Sequence, residues 1–282
     1  MSLSVVVACL NAASTLPEQL DALSQQTFSG PWQLVVADNG STDGSAEIVR
    51  SYSDRIDLIV VDAPARRNVA YPRNRGVEAA TGDRLVFVDA DDVVHPDFLA
   101  TMADALEQHE LVAAQGEVAK LNEPWTRVRT EFVEVPTLPF PPHLPFGSSF
   151  GLGVHRRLHE EVGGFDEDMR SLEDVDYCVR LQLAGAELHH EPRAVVHYRY
   201  RRTLPGIFEQ ASIYAEEFAR IEKRYGTGSS RSLVTWPLRG WRGIALALPG
   251  ASRKAGRARL AWQAGWQLGR LRGSVRHRVV AG

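Results

Sequence analysis

Asp89-Ala90-Asp91-Asp92 follows directly on the apolar run Leu85-Val86-Phe87-Val88, so a strand delivers three carboxylates to its carboxyl end. Clustered carboxylate oxygens suit a hard divalent cation such as Mg²⁺ or Mn²⁺. In an open α/β sheet, ligands sit beyond the carboxyl ends of the strands, where such a cation is shared with a diphosphate. Acids are also ordinary turn and cap residues, so the cluster takes its meaning from its company. A second acidic pair, Glu173-Asp174, opens a helical stretch. It either supplies a carboxylate that takes a hydroxyl proton or stabilises the helix N-terminus through its dipole. Arg73, in Arg73-Asn74-Arg75-Gly76, offers five N–H donors in a fork. His197 sits in the β-branched run Ala194-Val195-Val196, where a neutral imidazole can ligate Mn²⁺ or pack in the core.

Such groups work only on a rigid frame, and the hydrophobic periodicity supplies one. Residues 4–10, 33–37, 56–61 and 84–88 read as strands, alternating with helices over about 15–24, 43–52 and 73–81. Thr15 and Glu18 have capping-box spacing at the first helix. Alternation of this kind implies βαβ units and a mostly parallel, Rossmann-like sheet. The pattern changes between 117 and 145, where Pro136, Pro139, Pro141, Pro142 and Pro145 preclude helix. Beyond it come a short strand at 150–155, a turn at Gly163-Gly164, a helix at 173–184, a strand at 194–200 and an amphipathic helix at 206–225. The expected division is an α/β half at 1–116, a second half at 117–205, and C-terminal helices with a basic tail at 206–282.

The chain has 282 residues, enough for one large α/β domain with an appendage. Its two cysteines, Cys9 and Cys178, have no paired spacing, so neither a zinc site nor a disulfide framework is indicated. The apolar run 5–10 is too short for a secretory signal, and 243–249 falls far below the roughly 20 residues that cross a bilayer. A cytoplasmic location is therefore expected. From Lys223 onward there are 13 basic and no acidic residues, against 19 basic and 35 acidic before it. Four of the six tryptophans, Trp236, Trp241, Trp262 and Trp266, lie in that basic tail. On a helical wheel Leu260, Ala264, Leu268 and Leu271 share one face and the last two tryptophans another, which suggests two partners. One face suits the catalytic domain or a second copy in an oligomer. Tryptophan beside arginine also suits an anionic membrane surface, here through residues 229–282, rather than nucleic acid.

In order along the chain, Ser4-Val5-Val6-Val7-Ala8-Cys9-Leu10-Asn11, Asp38-Asn39-Gly40-Ser41, Arg73-Asn74-Arg75-Gly76, Asp89-Ala90-Asp91 and Leu172-Glu173-Asp174 resemble the inverting family-two glycosyltransferases with the GT-A fold. The resemblance covers residues 1–200 and departs at Tyr71-Pro72, where the family more often has small residues. It implies a metal-dependent transfer of a sugar from a nucleotide diphosphate donor to an alcohol acceptor: a lipid-linked or envelope glycan, or a small molecule. It further implies donor contacts from Asn11, Asp38, Arg73, Asp89 and Arg201, and a Mn²⁺ or Mg²⁺ ion held by Asp91, Asp89 and His197. Asp174 becomes the general base, with Glu173 beside it and Asp92 left over as a turn cap. Peripheral attachment to the inner face of the plasma membrane follows from the tail. Two alternatives stand beside this reading. A sugar nucleotidyltransferase should carry a Gly-rich, Arg/Lys-bearing loop after strand one, and Ala8-Cys9-Leu10-Asn11-Ala12 has neither. An inactive nucleotide-sugar-binding subunit keeps the acids without turnover.

Overall fold

The computed structural model describes residues 2–128, 135–226 and 248–279, together with 241, 244 and 245. Trp236 and part of the apolar stretch 243–249 lie outside the described residues. An eight-stranded sheet in the order β3-β2-β1-β4-β7-β6-β8-β5 forms the frame. Its strands are β1 (Leu3–Cys9), β2 (Trp32–Asp38), β3 (Leu58–Asp62), β4 (Arg84–Asp89), β5 (Val93–Val94), β6 (Leu111–Glu117), β7 (Leu152–His155) and β8 (Leu188–His197). β1 to β4 pair in parallel, as do β6 and β8, whereas β7 runs antiparallel between β4 and β6, and β5 antiparallel to β8. The expected mixed α/β, mostly parallel architecture is what the chain adopts.

Two layers of helices cover the sheet because its central strands are apolar on both faces, the usual mark of parallel strands buried twice over. Val5, Val7, Val86 and Val88 face α1 (Leu16–Ser24), α2 (Ser45–Arg50) and α4 (Phe98–Gln108). Val6, Val35, Leu85 and Phe87 face α3 (Ala70–Ala79), α5 (Arg156–Glu161) and α6 (Glu173–Leu183). A third apolar cluster, with Leu138, Phe140, Val175 and Ile221, joins the Pro-rich segment to α6 and α7 (Leu204–Tyr225). Parallel register matters most at the strand ends: Cys9 pairs with Asp38, Ala8 with Asp89, and Asp38 with Asp62. The acids that end β2 and β4 thus flank the end of β1.

Several local expectations change. The capping box at Thr15 does not form: Thr15 Oγ1 donates to its own turn at Ala12 O, and Glu18 instead accepts from Arg199. α4 and β6 were not legible as separate elements. β8 starts six residues before the expected strand, because a register shift between Ala114 and Gln115 skips the stretch around Pro192. Proline cannot donate to a ladder, so the bulge falls there.

The basic tail forms a long helix, α8 (Lys254–His277), packed along α7. The docking face is one that the hydrophobic pattern hides. Gly265, Gly269 and Gly273, four residues apart, lie against Phe208 O, Ser212 O and the Ala219 side chain, leaving no room for a β-carbon. Beside that glycine stripe, Trp262 meets Tyr214 edge-on at 6.3 Å and Trp266 meets Phe218 at 6.2 Å. The two tryptophans therefore face α7 and the α/β body, and Leu271 and Val275 are left exposed on α8. Gly269→Val should destabilise the α7–α8 pair by about 1–3 kcal/mol, the usual cost of overpacking. Thermal melting should show a lower Tm than for the parent or for Arg272→Ala, at an exposed position on the same helix. A parental Tm for the valine variant would mean that the close helix contact is not made.

Candidate active site

The end of β4 and the turn that follows bring Asp89, Asp91 and Asp92 together, one oxygen from each lying within 4.8 Å of the others. Gln19, fully buried on α1, clamps this turn from both sides: its amide donates to Asp89 O (3.0 Å) and accepts from Val94 N (3.0 Å). Arg199 holds the outer edge, its Nε donating to Asp91 O and its backbone N to Asp92 Oδ1, both at 2.7 Å. Asp92 is thus not a spare cap. It is wholly buried, and its Oδ2 has no hydrogen-bond partner. Burial, together with the Asp91 and Asp89 charges, pushes its carboxyl well above the usual range. Asp91 is raised in the same sense by burial and by Asp89, with Arg201 Nη1 at 3.5 Å pulling the other way. A site in which carboxylates repel one another and a buried oxygen lacks a donor fits a divalent cation.

Arg73 joins this cluster to the second one. The arginine is 2% exposed on α3, with Nη2 donating to Asp89 Oδ1 at 2.6 Å and Nη1 donating to Glu173 Oε1 on α6. Burial opposes its charge, but Asp89 and Glu173 hold the guanidinium protonated. The ring of Phe165 lies 5.6 Å from its Cζ. Next in sequence, Asp174 accepts from Val175 N (2.9 Å), Ser149 N (3.1 Å) and Ser149 Oγ (3.4 Å). Burial raises both acids, Asp174 adding to the rise at Glu173 and Arg73 opposing it at each. The pair stands at the first turn of α6, whose preceding residue Leu172 takes a left-handed conformation (φ 57°).

One cavity of about 930 Å³ connects these groups. Asn11, Arg73, Asp89, Asp91, Glu173, Asp174 and Arg201 of the expected set line it. Asn11 also ties two loops together, its N donating to Ser41 Oγ and its Oδ1 accepting from Thr42 N, both at 2.9 Å. Asp38 is mostly buried behind that wall and accepts from Ser41 N at 3.2 and 3.3 Å. His197 is not brought into the acid cluster: its Nδ1 lies 2.8 Å from Glu117 Oε2, and burial pushes its imidazole down. Its strand partner Val93 belongs to β5, beyond the turn that carries the acids. Reading the sequence also passed over Gln19, Ser149, and the role of Trp262 and Trp266 in the far wall. The four-residue spacing of Gly265, Gly269 and Gly273 was the available signal for those tryptophans.

Comparison with known proteins agrees with this geometry. The profile of glycosyl transferase family 2 matches residues 4–163, and that of glycosyl transferase family group 2 matches residues 85–266. Among relatives, the glycosyltransferase YibD of Escherichia coli (strain K12) is 32% identical over 123 residues, 44% of this chain and 34% of its own length. YwdF of Bacillus subtilis (strain 168) is 25% identical over 64% of this chain and 68% of its own length. A PGL/p-HBAD biosynthesis glycosyltransferase of Mycobacterium bovis (strain BCG / Pasteur 1173P2) is 35% identical over 38% of this chain and 42% of its own length. The chain thus spans less than half the length of YibD and the mycobacterial relative. In fold it is similar to the mannosyltransferase PcManGT from Pyrobaculum calidifontis in complex with GDP-Man and Mn²⁺, with a TM-score of 0.70 and 20% identity over 96% of this chain and 86% of that one. S. aureus TarS in complex with UDP-GlcNAc follows with a TM-score of 0.57 and 18% identity over 99% and 93%. A family profile covering more than half the residues, carried on this sheet and this line of acids, makes the chain a member of glycosyl transferase family 2 with the GT-A fold.

Proposed function

We propose that this protein transfers a sugar, with inversion, from a nucleotide diphosphate donor to an alcohol acceptor. The observation that carries the reading is the buried Arg73 bridge, which fixes an acid suited to a cation, Asp89, at a set distance from the Glu173-Asp174 pair inside one cavity. Donor complexes of fold neighbours, with GDP-Man and Mn²⁺ in one case and UDP-GlcNAc in another, support it.

Asp89, Asp91 and Asp92 would hold Mn²⁺ or Mg²⁺, and His197 stays outside that set. When bound, the cation offsets charge on the departing diphosphate. Arg201, more than half exposed at the cavity rim beside Asp91, is placed to pair with the phosphates. Asn11 stands in the wall assigned to the nucleoside, and Asp38, buried behind it, would accept a base N–H. Arg73 has both terminal nitrogens on carboxylates, so its part in donor binding runs through Asp89. Asp174 takes the acceptor proton as the hydroxyl oxygen attacks the anomeric carbon. Its three hydrogen bonds aim the carboxylate, while Arg73 and burial keep Glu173 as a positioning residue.

The lean toward a lipid-linked or envelope glycan acceptor, and toward a place on the cytoplasmic face of a membrane, rests on α8. Among the described residues, no helix is long and apolar enough to cross a membrane. The outer side of α8 instead exposes Leu271 (54%) and Val275 (81%) beside Arg272 and Arg278. That combination suits an anionic lipid surface. Trp262 and Trp266, turned toward the cavity, do not contribute to it.

Asp91→Asn should remove most of the Mn²⁺-dependent part of nucleotide binding while preserving the melting curve. Titration calorimetry with UDP and GDP, with Mn²⁺ and after chelation, measures it, and parental metal-dependent affinity would refute the assignment. Asp174→Asn should slow transfer by about 10²–10⁴-fold with donor affinity little changed. Near-parental turnover would move the base to Glu173. The full chain should co-sediment with anionic liposomes at low salt and release as salt rises past a Debye length of about 8 Å. Protein remaining in the supernatant at low salt would remove the membrane proposal.

A further inference from the structure

The cavity does not end at the carboxylates. It runs on to α8, so that Trp262 and Trp266 share one continuous space with Asp89, Asp91 and Asp174. The two indoles are one helical turn apart, 6.1 Å between centroids and 26° between planes, and together form an aromatic wall. That wall is rigid for reasons already described: the glycine stripe seats α8 on the α7 backbone, and Tyr214 and Phe218 back the rings from α7. Both tryptophans remain partly exposed. Around this end the polar groups are neutral or acidic as well as basic: Gln210, whose amide donates to Tyr214 Oη at 3.3 Å, and the exposed Glu209.

From this juxtaposition we infer that α8 builds the acceptor end of the cavity, and that Trp262 and Trp266 bind a pyranose ring of a carbohydrate acceptor. The inference rests on the transferase reading above and names the acceptor class for the same site. A pyranose has an apolar face of C–H groups and an equator of hydroxyls. It therefore needs a flat aromatic surface with amide and carboxylate groups at the edge. Gln210 and Glu209 put hydrogen-bonding groups at the aromatic edge that a hydroxylated ring can use and an aliphatic chain cannot. The same cavity holds Asp174 and the acids that end β4, so a sugar on α8 and the base share one space.

Saturation-transfer NMR with methyl glucopyranoside, methyl galactopyranoside and methyl mannopyranoside, against 1-octanol, tests this on the full chain. The parent should bind at least one pyranoside in preference to octanol. Trp266→Ala and Trp262→Ala should weaken that binding by about tenfold, the scale of an aromatic stacking contact. Trp266→Leu preserves apolar volume against Phe218 but removes the ring plane. It should lose pyranoside affinity even if the alanine variants fold poorly, with melting curves as the check. Hydrolysis of UDP- or GDP-sugars by water with Mn²⁺, measured on the parent, reports separately on the transferase reading. Parental pyranoside affinity in Trp266→Leu and Trp262→Ala, or a preference for octanol in the parent, would overturn the inference even with donor hydrolysis intact. Pyranoside binding that depends on the tryptophans in a protein that hydrolyses no donor would support the carbohydrate site and overturn the transferase reading instead.

Discussion

A single buried guanidinium holds the two chemical halves of this protein together. Arg73 lies on α3, Asp89 at the end of β4 and Glu173 at the start of α6, and among the described residues those two carboxylates are what satisfies Arg73 Nη1 and Nη2. A buried ion pair adds little net stability over a well-packed apolar replacement, but removing one partner costs several kcal/mol because the other charge is left alone. The bridge is therefore a constraint on geometry more than a source of stability. It sets where α6 begins relative to the strand that ends in Asp89, and so where Asp174 can stand.

The acids themselves are an unfavourable arrangement held in place from outside. Asp89, Asp91 and Asp92 crowd within one cation's reach, and the raised proton affinities of the last two record the electrostatic cost. Gln19 and Arg199 keep the turn from opening to relieve it, Gln19 with paired amide bonds from α1 and Arg199 with a hydrogen bond to the turn on one side and Glu18 on the other. Pre-arranged repulsion of this kind is what a hard cation relieves.

The C-terminal helix changes the meaning of the basic tail. Its charge and its tryptophans suggest a surface for an outside partner, yet the tryptophans line the same cavity as the acids and the glycine stripe does the docking. Close helix contact through small residues depends on shape, and hydrophobicity scales assign glycine almost nothing. Of the leucine face that the apolar pattern favours for docking, Leu271 is left outside, along with Val275.

Strand ends and helix starts were readable from the chain alone: the apolar runs ending in Asp38 and Asp89, the acids opening α6, and the order of all three along one α/β pattern. Periodicity of two or 3.6 residues is a local property, and acids at element ends are local too, so linear sequence carries both. What the tertiary structure decided is which of those groups meet. Parallel register placed Asp38 and Asp89 on either side of β1, packing buried Arg73 between two carboxylates 84 positions apart in the chain, Asp89 and Glu173, and the β6–β8 pairing took His197 to Glu117 instead of the acid cluster. Long-range pairings of this kind depend on shape complementarity across the whole core, and no spacing within a single segment encodes them.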